Sequence, residues 1–210
     1  MHVLVVGGTG RIGSKVVERA LEDGHKVTVV ARRPAGAERP GVTVLAADVL
    51  EPGALDGRLP AADVVCFLAG SRGTGPSVVR SDGLANVLSA VRETPPTRVL
   101  AVRPASVAIS RRLPLGSRLG LRLFMQKRLR NVLNDAERME DELRHSNLDW
   151  TVVRSAPVRE QPATGRYQVS PGGEEGDHRP VAADDLAGYL LSGALAPQLV
   201  RTIVTVSGRR

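Results

Sequence analysis

The 210-residue chain contains a single cysteine and no long apolar run. Cys66 therefore has no disulfide partner within the chain, and its place in the apolar run 63–68 predicts a buried structural thiol. No apolar run approaches the ~20 residues that span a bilayer, and no signal peptide precedes the first predicted strand. We therefore expect a cytoplasmic protein that has no membrane partner and folds as one domain without a metal or a disulfide.

Acidic residues are missing altogether between Thr94 and Asn134. The chain has 29 basic and 22 acidic residues, a formal charge of +7, and this stretch alone carries more positive charge than that excess. A basic patch is typical of nucleic-acid binding, but no reader motif accompanies this one, and Phe124 is its only aromatic residue. We expect no nucleic-acid partner. The stretch is either the solvated face of an amphipathic helix or a surface that attracts anionic ligands.

The first thirteen residues pass from an apolar run into a glycine cluster. Residues 2–6 have the pattern of a central strand buried on both faces, and Gly7, Gly10 and Gly13 follow at intervals of three. In a phosphate-binding turn, Gly7 would allow the sharp turn, Gly10 the approach of a pyrophosphate and Gly13 the close packing of a helix. N–H groups from about Arg11 onward would bind the anion. The alternative is a tight turn without a ligand.

A helical stripe and a second strand follow the glycines, which is the context that a dinucleotide-binding fingerprint requires. Strands are predicted over residues 2–6, 27–31, 42–46, 63–68, 98–102, 150–154 and 202–206, and later helices over residues 77–91 and 183–195. Alternating strands and helices with short connections predict an α/β fold. We expect residues 1–210 to form a single doubly wound Rossmann-type domain with a mainly parallel sheet.

The end of the second strand indicates which dinucleotide is bound. Arg32 and Arg33 occupy the position where an acid usually holds the adenosine ribose, and no acid follows until Glu38. Because arginine accommodates a 2′-phosphate, this favours NADP(H) over NAD(H). Two readings remain open here: the paired arginines could be ordinary loop residues, and Asp48, after the third strand, could merely cap a short helix.

The region after the fifth strand is the least regular part of the sequence. Pro114, Gly116 and Gly120 argue against a continuous helix, so we expect a loop over residues 110–120 and a helix from near Leu121 to about Arg144. Sheets of this type bind ligands at the carboxyl ends of their strands. We therefore expect residues about 104–120 to cover the substrate cleft.

Several motifs together resemble the atypical short-chain dehydrogenases and, within them, the small NADPH-dependent biliverdin-IXβ/flavin reductase type. The shared motifs are Val6-Gly-Gly-Thr-Gly-Arg-Ile-Gly13, Arg32, Ala47-Asp-Val49, Ser146-Asn-Leu-Asp-Trp-Thr-Val-Val-Arg154 and Pro180-Val-Ala-Ala-Asp-Asp-Leu-Ala187. The segments that are similar to the reductase type in particular are Leu68-Ala-Gly-Ser-Arg72 and Gln161-Pro-Ala-Thr-Gly-Arg-Tyr167. The resemblance covers nearly the whole chain.

The resemblance implies a set of binding residues. Those implied to hold the pyrophosphate are Gly7, Thr9, Gly10, Arg11 and Ile12. Arg32 and Arg33 are implied to hold the 2′-phosphate. Asp48 and Val49 are implied to contact the adenine. The nicotinamide side would be lined by Leu68, Ala69, Gly70 and Arg72. The substrate would be framed by the ends of the fifth and sixth strands, Arg103 to Ser106 and Ser155 to Val158, which include Pro104, Ser106 and Pro157. C-terminal elements over residues about 155–182 would also lie on the substrate side.

The chain departs from its relatives in its catalytic groups. The Tyr-x-x-x-Lys pair of ordinary short-chain dehydrogenases is missing, because Tyr167 is followed four residues on by Pro171 and Tyr189 by Gly193. The reductase type also has a serine after the fifth strand and a histidine after the sixth. These fall on two prolines here, which leaves Ser106 as the candidate catalytic residue.

Hydride transfer does not require those groups. A reduced nicotinamide held against a flavin ring can deliver hydride while solvent supplies the proton, whereas ketone reduction needs a placed donor. We therefore expect an NADPH-dependent oxidoreductase that transfers hydride to a flavin, biliverdin-like or quinone acceptor. NADP(H) would be the cofactor, and flavin would be a substrate rather than a bound cofactor. The substrate would be a small molecule, anionic if the basic stretch attracts it, and the protein a monomer or homodimer.

An alternative from another class is a non-catalytic NADP(H)-binding redox sensor or regulator. The missing catalytic residues favour it. A nucleotide-sugar epimerase is disfavoured because it would need the tyrosine and lysine that the chain lacks, and because the chain leaves little room for a substrate domain.

Overall fold

The computed structural model describes residues 1–71, 73–92, 94–105, 115–172 and 179–209. The strands within these ranges are β1 (His2–Val6), β2 (Lys26–Ala31), β3 (Val42–Ala46), β4 (Val64–Phe67), β5 (Arg98–Pro104), β6 (Trp150–Ser155), β7 (Val158–Arg159), β8 (Tyr167–Pro171), β9 (Val181–Ala182) and β10 (Thr202–Gly208). The α-helices are α1 (Arg11–Glu22), α2 (Ser81–Ala90), α3 (Leu115–His145) and α4 (Ala183–Leu191).

The main sheet has the order β3-β2-β1-β4-β5-β6-β10-β8. Every neighbouring pair is parallel except β10 and β8, which are antiparallel at one edge. The chain runs outward from β1 to β3 and then crosses β1 to continue through β4. Strand order therefore reverses between β1 and β4, which is where sheets of this type bind ligands. A second, two-stranded sheet pairs β7 with β9.

Two apolar cores cover the faces of the sheet. Successive residues of β1 point to opposite sides, so Val3 and Val5 join the core under α1 and α4 while Leu4 and Val6 join the core under α2 and α3. Cys66 is fully buried, and burial raises the pKa of its thiol to about 12, as expected of a structural cysteine. This three-layer arrangement confirms the predicted single α/β domain of Rossmann type.

Two predicted helix starts were wrong. The long helix α3 begins at Leu115, not near Leu121, and continues through Gly116 and Gly120. Glycine costs only about 1 kcal/mol within a helix, and the leucines and arginines around these two are strong helix formers. Helix α2, which precedes α3 in the chain, begins at Ser81 rather than at residue 77. It begins there because the carboxylate of Asp135, on α3, accepts the backbone N–H groups of Arg80 and Ser81.

The last helix was predicted over residues 183–195, which is too long. The three short strands β7, β8 and β9 were not predicted. Helix α4 ends at Leu191, and a 3₁₀ turn, Gly193–Leu195, follows it. A Cβ at Gly193 would lie 2.5 Å from the ring of Tyr189, so the chain turns where only glycine fits.

No helix in the described part of the chain has both the length and the apolar character that crossing a membrane requires.

Candidate functional site

The glycine turn after β1 packs tightly against the end of β4. Gly7 has a φ of +86°, and its N–H donates to the carbonyl of Val30 at 3.0 Å while its carbonyl accepts from Gly10 at 2.9 Å. A Cβ at Gly7 would lie 2.9 Å from the backbone nitrogen of Ala69. The left-handed conformation and the close approach both require glycine here. The sharp turn predicted at Gly7 is therefore present.

Gly13 and Gly10 differ in what their surroundings require. A Cβ at Gly13 would overlap the carbonyl oxygen of Gly7, so glycine is needed for α1 to sit close to the strand. Gly10 has an ordinary extended backbone, with φ of −82°, and a Cβ there would meet only the Gly7 oxygen, at 3.2 Å. The backbone angle thus does not require glycine at position 10, and the one close contact there is looser than those at Gly7 and Gly13.

The N-terminus of α1 suits an anion. No side chain of the described residues caps it, its first turn holds no acid, and the first hydrogen bond to its N-cap runs from Ser14 to Gly10. The N–H groups of Arg11, Ile12 and Gly13 therefore have no partner within the helix. All three residues line a cleft at this edge of the sheet. A pyrophosphate fits this arrangement because the unpaired N–H groups and the helix dipole both favour negative charge.

The side chain of Arg11 spans the mouth of this cleft. Its Nε donates to Glu160 at 2.9 Å and its Nη1 to the carbonyl of Val158 at 3.2 Å. Both charged side chains are more than half exposed, so the ion pair is weak and easily exchanged for a ligand. Thr9 is exposed in the preceding turn, and Ile12 packs partly into the core.

The adenosine end predicted from the sequence lies on the other side of β1. Arg32 and Arg33 are exposed after β2, and Arg32 lies 3.5 Å from a carboxylate oxygen of Asp48. The other oxygen of Asp48 accepts the N–H of Leu50 at 3.0 Å. Residues 49–58 form turns rather than the short helix considered above, so this bond belongs to a turn and is not a helix cap. Val49 is a buried core residue whose carbonyl accepts from Asn86 at 2.8 Å. Contact of Asp48 and Val49 with adenine stays a prediction.

The cleft has a volume of about 530 Å³ and runs from the α1 N-terminus to the ends of β5 and β6. It brings together six of the residues predicted to bind the cofactor, namely Gly10, Arg11, Ile12, Leu68, Ala69 and Gly70. It also includes every described residue of the two ranges predicted to frame the substrate, 103–105 and 155–158. The predicted cofactor residues that do not line it are Gly7, Thr9, Arg32, Arg33, Asp48 and Val49. Arg72 and Ser106 lie outside the described residues, as does most of the predicted covering segment 104–120. The described helix α3 contributes Leu129 to the wall.

Two polar or charged residues in the cleft wall, Ser71 and Arg80, were not among the predicted site residues. The more informative of the two is Arg80. It follows Val78 and Val79 and stands four residues before Leu84, on what would be the apolar side of the predicted helix. A cation at a core-facing position is the signal that could have identified it.

Arg80 is held against the loop that follows β4. Its side chain is 10% exposed, and Nη1 lies 3.6 Å from Asp135, too far for a hydrogen bond. Asp135 instead accepts the N–H groups of Arg80 and Ser81 and the Ser81 hydroxyl, at 3.1, 3.0 and 3.0 Å. A Cβ at Gly70 would lie 2.7 Å from Arg80 Nη2. Burial lowers the pKa of Arg80, Asp135 opposes this, and the charge of Arg103 lowers it further.

Arg103 belongs to a buried network that joins β5, β6 and α3. Its Nη1 donates to Glu140 Oε1 at 2.9 Å, and Arg154 donates to both oxygens of the same carboxylate, at 2.9 and 2.8 Å. Burial lowers the pKa of Arg103, with the charge of Glu140 opposing this. The pKa of Glu140 falls below its ordinary value because the two arginines outweigh the effect of its burial.

The only ionisable side chains among the described residues of the cleft wall are Arg11, Arg80 and Arg103. The hydroxyl of Ser155 donates to the carbonyl of Ala156 at 2.8 Å. Tyr167 and Tyr189 contact each other edge to face and do not line the cleft, and burial raises the pKa of Tyr189 to about 12. The described wall therefore offers fixed positive charge but no residue that exchanges a proton near neutral pH. In the described part of the chain no group of residues could hold a metal ion.

The C-terminal segment beside the cleft is anchored by Asp185. This buried carboxylate accepts the N–H groups of Thr164 and Gly165 at about 3 Å and the Thr164 hydroxyl at 2.7 Å. Pro157 and Val158, at the start of the segment, line the cleft. Part of the range 155–182 thus lies where the substrate-side elements were expected.

The doubly wound sheet, the uncapped helix after a glycine turn and the cleft at the strand-order reversal define a dinucleotide-binding protein of Rossmann type. The chain belongs to the NAD(P)H-binding family, whose profile it matches over residues 7–197. This confirms the resemblance to the NAD(P)-binding short-chain dehydrogenase group and establishes the family's cofactor class, NAD(P)H.

Similar proteins have different functions. The photosystem II assembly factor Ycf39 of Synechocystis is 25% identical over 221 residues; the match includes 100% of this chain but only 63% of that protein. Solved structures that share the fold include the following three. ChuY, an anaerobillin reductase of Escherichia coli O157:H7, has a TM-score of 0.79 at 18% identity over 99% of this chain and 97% of its own. A Veillonella parvula short-chain dehydrogenase/reductase in complex with NADP has a TM-score of 0.78 at 19% identity, covering 98% and 94%. A candidate NADH-flavin reductase of Streptococcus pneumoniae has a TM-score of 0.73 at 18% identity, covering 100% of both chains.

Proposed function

We propose that the protein is an NADPH-dependent oxidoreductase that transfers hydride to a flavin, biliverdin-like or quinone acceptor. The observation that carries this proposal is the single cleft that continues from the uncapped N-terminus of α1 to the ends of β5 and β6. Such a cleft would hold the pyrophosphate and nicotinamide end of a dinucleotide, with a second small molecule next to the nicotinamide. Two of the reductases of similar fold, from Escherichia coli and Streptococcus pneumoniae, act on a bilin and a flavin by their names.

The cofactor would lie across the strand-order reversal. N–H groups from Arg11 to Gly13 would hold the pyrophosphate, with Gly10 leaving room for it. Arg32 and Arg33 would hold the 2′-phosphate, and Leu68, Ala69 and Gly70 would line the nicotinamide side. The bound cofactor supplies a hydride from its reduced nicotinamide.

The rest of the cleft suits a flat, conjugated acceptor. Its wall beyond Gly70 is largely apolar and includes Val102, Pro104, Leu129 and Pro157. An electron-poor ring can accept hydride without a protein acid, since solvent can supply the proton, and positioning is then the chief contribution of the protein. We also propose that residues 104–120 cover the acceptor end of the cleft and that parts of residues 155–182 border the substrate.

The second candidate is a non-catalytic NADP(H)-binding regulator. Two observations favour it: the described cleft wall contains no proton-exchanging residue, and the relative from Synechocystis is named an assembly factor rather than an enzyme. Such a protein would bind the dinucleotide and a partner without turnover.

An acceptor panel separates the two candidates. The purified protein is mixed with NADPH and, in turn, FMN, riboflavin, biliverdin and a soluble quinone, and loss of reduced nicotinamide absorbance is recorded against a reaction without protein. We expect one acceptor class to be reduced well above the background rate. NADPH binding with no acceptor reduced would favour the regulator.

A further inference from the structure

The guanidinium of Arg80 has unused hydrogen-bonding capacity. No hydrogen bond from its side chain to any described residue is present, although the side chain is nine-tenths buried. Guanidinium carries five donors, and buried polar groups are nearly always hydrogen-bonded. Asp135 forms an ion pair with Arg80, but its oxygen lies 3.6 Å from Nη1, beyond hydrogen-bonding distance, while the same carboxylate accepts two backbone N–H groups and one hydroxyl. A ligand anion in the cleft could supply the missing bonds.

The surroundings of Arg80 strengthen this preference for negative charge. Arg103 lines the same cleft, and its charge is close enough to lower the pKa of Arg80. Two hydrogen bonds hold the Arg103 guanidinium in place. Nη1 donates to Glu140, and Nε donates to the carbonyl of Pro104 at 3.2 Å. Ser71, also in the cleft wall, has a buried hydroxyl oxygen without a partner in the described residues. Two cations, each paired with one buried carboxylate, and an unused hydroxyl thus line the same cleft.

The phosphates of the cofactor would lie elsewhere. The pyrophosphate would sit at α1, after β1, and the 2′-phosphate at the end of β2. Arg103 ends β5, which is separated from β1 by β4. Neighbouring strands are about 4.8 Å apart, so the end of β5 lies about 10 Å from that of β1, on the side away from β2. The nicotinamide itself carries no negative charge that would need these arginines.

We propose that Arg80 and Arg103 form an anion subsite that binds a carboxylate or phosphate group of the acceptor. This inference rests on the proposed function and narrows its substrate class to acidic acceptors, such as a flavin mononucleotide or a bilin with free carboxylates. Charge-assisted bonds from a guanidinium are about twice as strong as neutral ones. We expect the acidic group to contribute about tenfold to acceptor affinity, a factor that corresponds to about 1.4 kcal/mol.

A binding experiment tests the subsite without requiring turnover. The protein is saturated with NADP⁺, and the dissociation constants of FMN and riboflavin are measured by quenching of their fluorescence. The two ligands differ only in the phosphate. In the unmodified protein FMN should bind about tenfold more tightly, and Arg80→Met should bring the two constants within about twofold, while Arg80→Lys keeps part of the difference. Arg19→Met removes the same charge from an exposed position on α1 and should leave the ratio unchanged.

A second pair of ligands identifies the source of the negative charge. Biliverdin and its dimethyl ester differ in carboxylates rather than a phosphate, and a preference for the free acid that Arg80→Met removes would identify a carboxylate site. NADPH affinity should stay within about twofold in that variant. If NADPH affinity falls instead, the arginine serves the cofactor and the proposal is wrong.

Further outcomes decide the proposal independently of the reductase function. Equal binding of each charged and uncharged pair by the unmodified protein would overturn the subsite even if riboflavin is reduced. A preserved preference in a protein that reduces nothing would support the subsite while the proposed reaction fails. If Arg80→Met does not fold, competition in the unmodified protein still decides: inorganic phosphate, at constant ionic strength, should weaken FMN binding but not riboflavin binding.

Discussion

Gly7, Gly10 and Gly13 of the dinucleotide-binding motif are not needed for the same reason. Gly7 and Gly13 meet backbone atoms of the protein itself, whereas Gly10 has space for a Cβ apart from one oxygen at 3.2 Å. If Gly10 has no fold requirement, its absent side chain is explained by a ligand that approaches its backbone. This separates the effect of substitution on folding from the effect on binding.

Alanine at Gly10 should therefore weaken cofactor binding, whereas alanine at Gly13 should weaken folding. Gly10→Ala should fold and melt close to the unmodified protein but bind NADPH at least about tenfold more weakly, because the methyl group would meet the pyrophosphate. Gly13→Ala should lose about 1–3 kcal/mol of unfolding free energy, because its Cβ has no room against Gly7. Urea unfolding and NADPH titration measure the two effects. Unchanged NADPH affinity in Gly10→Ala would mean that the turn binds no phosphate.

The two arginines after β2 should determine the choice between NADPH and NADH. Arg32 is exposed and only loosely paired with Asp48, so it is available to a 2′-phosphate at little cost. A guanidinium–phosphate pair contributes about 1.5–3 kcal/mol, so NADPH should bind about ten- to a hundredfold more tightly than NADH. Arg32→Ala should remove most of this difference in calorimetric titrations.

Arg19→Ala provides the control for that comparison. Arg19 is likewise exposed and paired with one carboxylate, Asp23, at 3.2 Å, but it lies at the far end of α1. It should leave the preference unchanged. Equal affinity of the unmodified protein for NADPH and NADH would contradict the assignment of Arg32 and Arg33.

At the level of elements, Glu140 joins α3 to β5 and β6. Its side chain is 3% exposed and binds arginines from both strands. Glu140→Gln would leave two arginines without their shared counter-charge, and we expect it to lower the unfolding free energy by about 3 kcal/mol at neutral pH. Glu142→Gln, an exposed change on the same helix, should have little effect.

The loss should depend on pH in a defined direction. The folded-state pKa of Glu140 lies below the ordinary value of 4.5, so its ionisation stabilises the folded protein fully above that value, and this contribution disappears as the pH falls through the folded pKa. The difference in stability between the unmodified protein and Glu140→Gln should thus be constant near pH 7 and shrink in acid. A difference that grows as the pH falls below 4.5 would contradict this account.

The elements that the sequence predicted well are those whose signals are local. The alternating strands and helices, the glycine turn and the apolar stripe of α1 each lie within one stretch of chain. The start of α2 depends on Asp135, which is 54 residues away from Ser81 in sequence, and the pairing of β7 with β9 likewise joins distant segments. The start of α3 was missed because two glycines were given too much weight against a long run of helix formers. Periodicity carries no information on such long-range contacts.

The candidate site divides in the same way. The phosphate-binding end could be predicted because glycine spacing and strand ends are sequence features. At the other end of the cleft, the strand ends 103–105 and 155–158 were predicted from their place after parallel strands. Arg80 was not predicted, since it is brought to the cleft by the packing of its guanidinium against Gly70.

For the whole molecule, membership in the NAD(P)H-binding family leaves open what the bound dinucleotide does. The described cleft has space beyond the nicotinamide side and fixed positive charge at that end, which suits an acidic, conjugated acceptor. A protein that only senses the dinucleotide would not need that second space. Catalysis and sensing therefore differ in whether hydride leaves the bound cofactor.

An anaerobic single-turnover experiment tests this directly. Protein in excess over NADPH is mixed rapidly with FMN, and the absorbances of reduced nicotinamide and oxidised flavin are followed together, with the experiment repeated with biliverdin. The account predicts that both absorbances fall with one time course, one acceptor reduced for each NADPH consumed, and that Gly10→Ala slows the reaction to the rate without protein. Bound NADPH that remains reduced in the presence of both acceptors would contradict it.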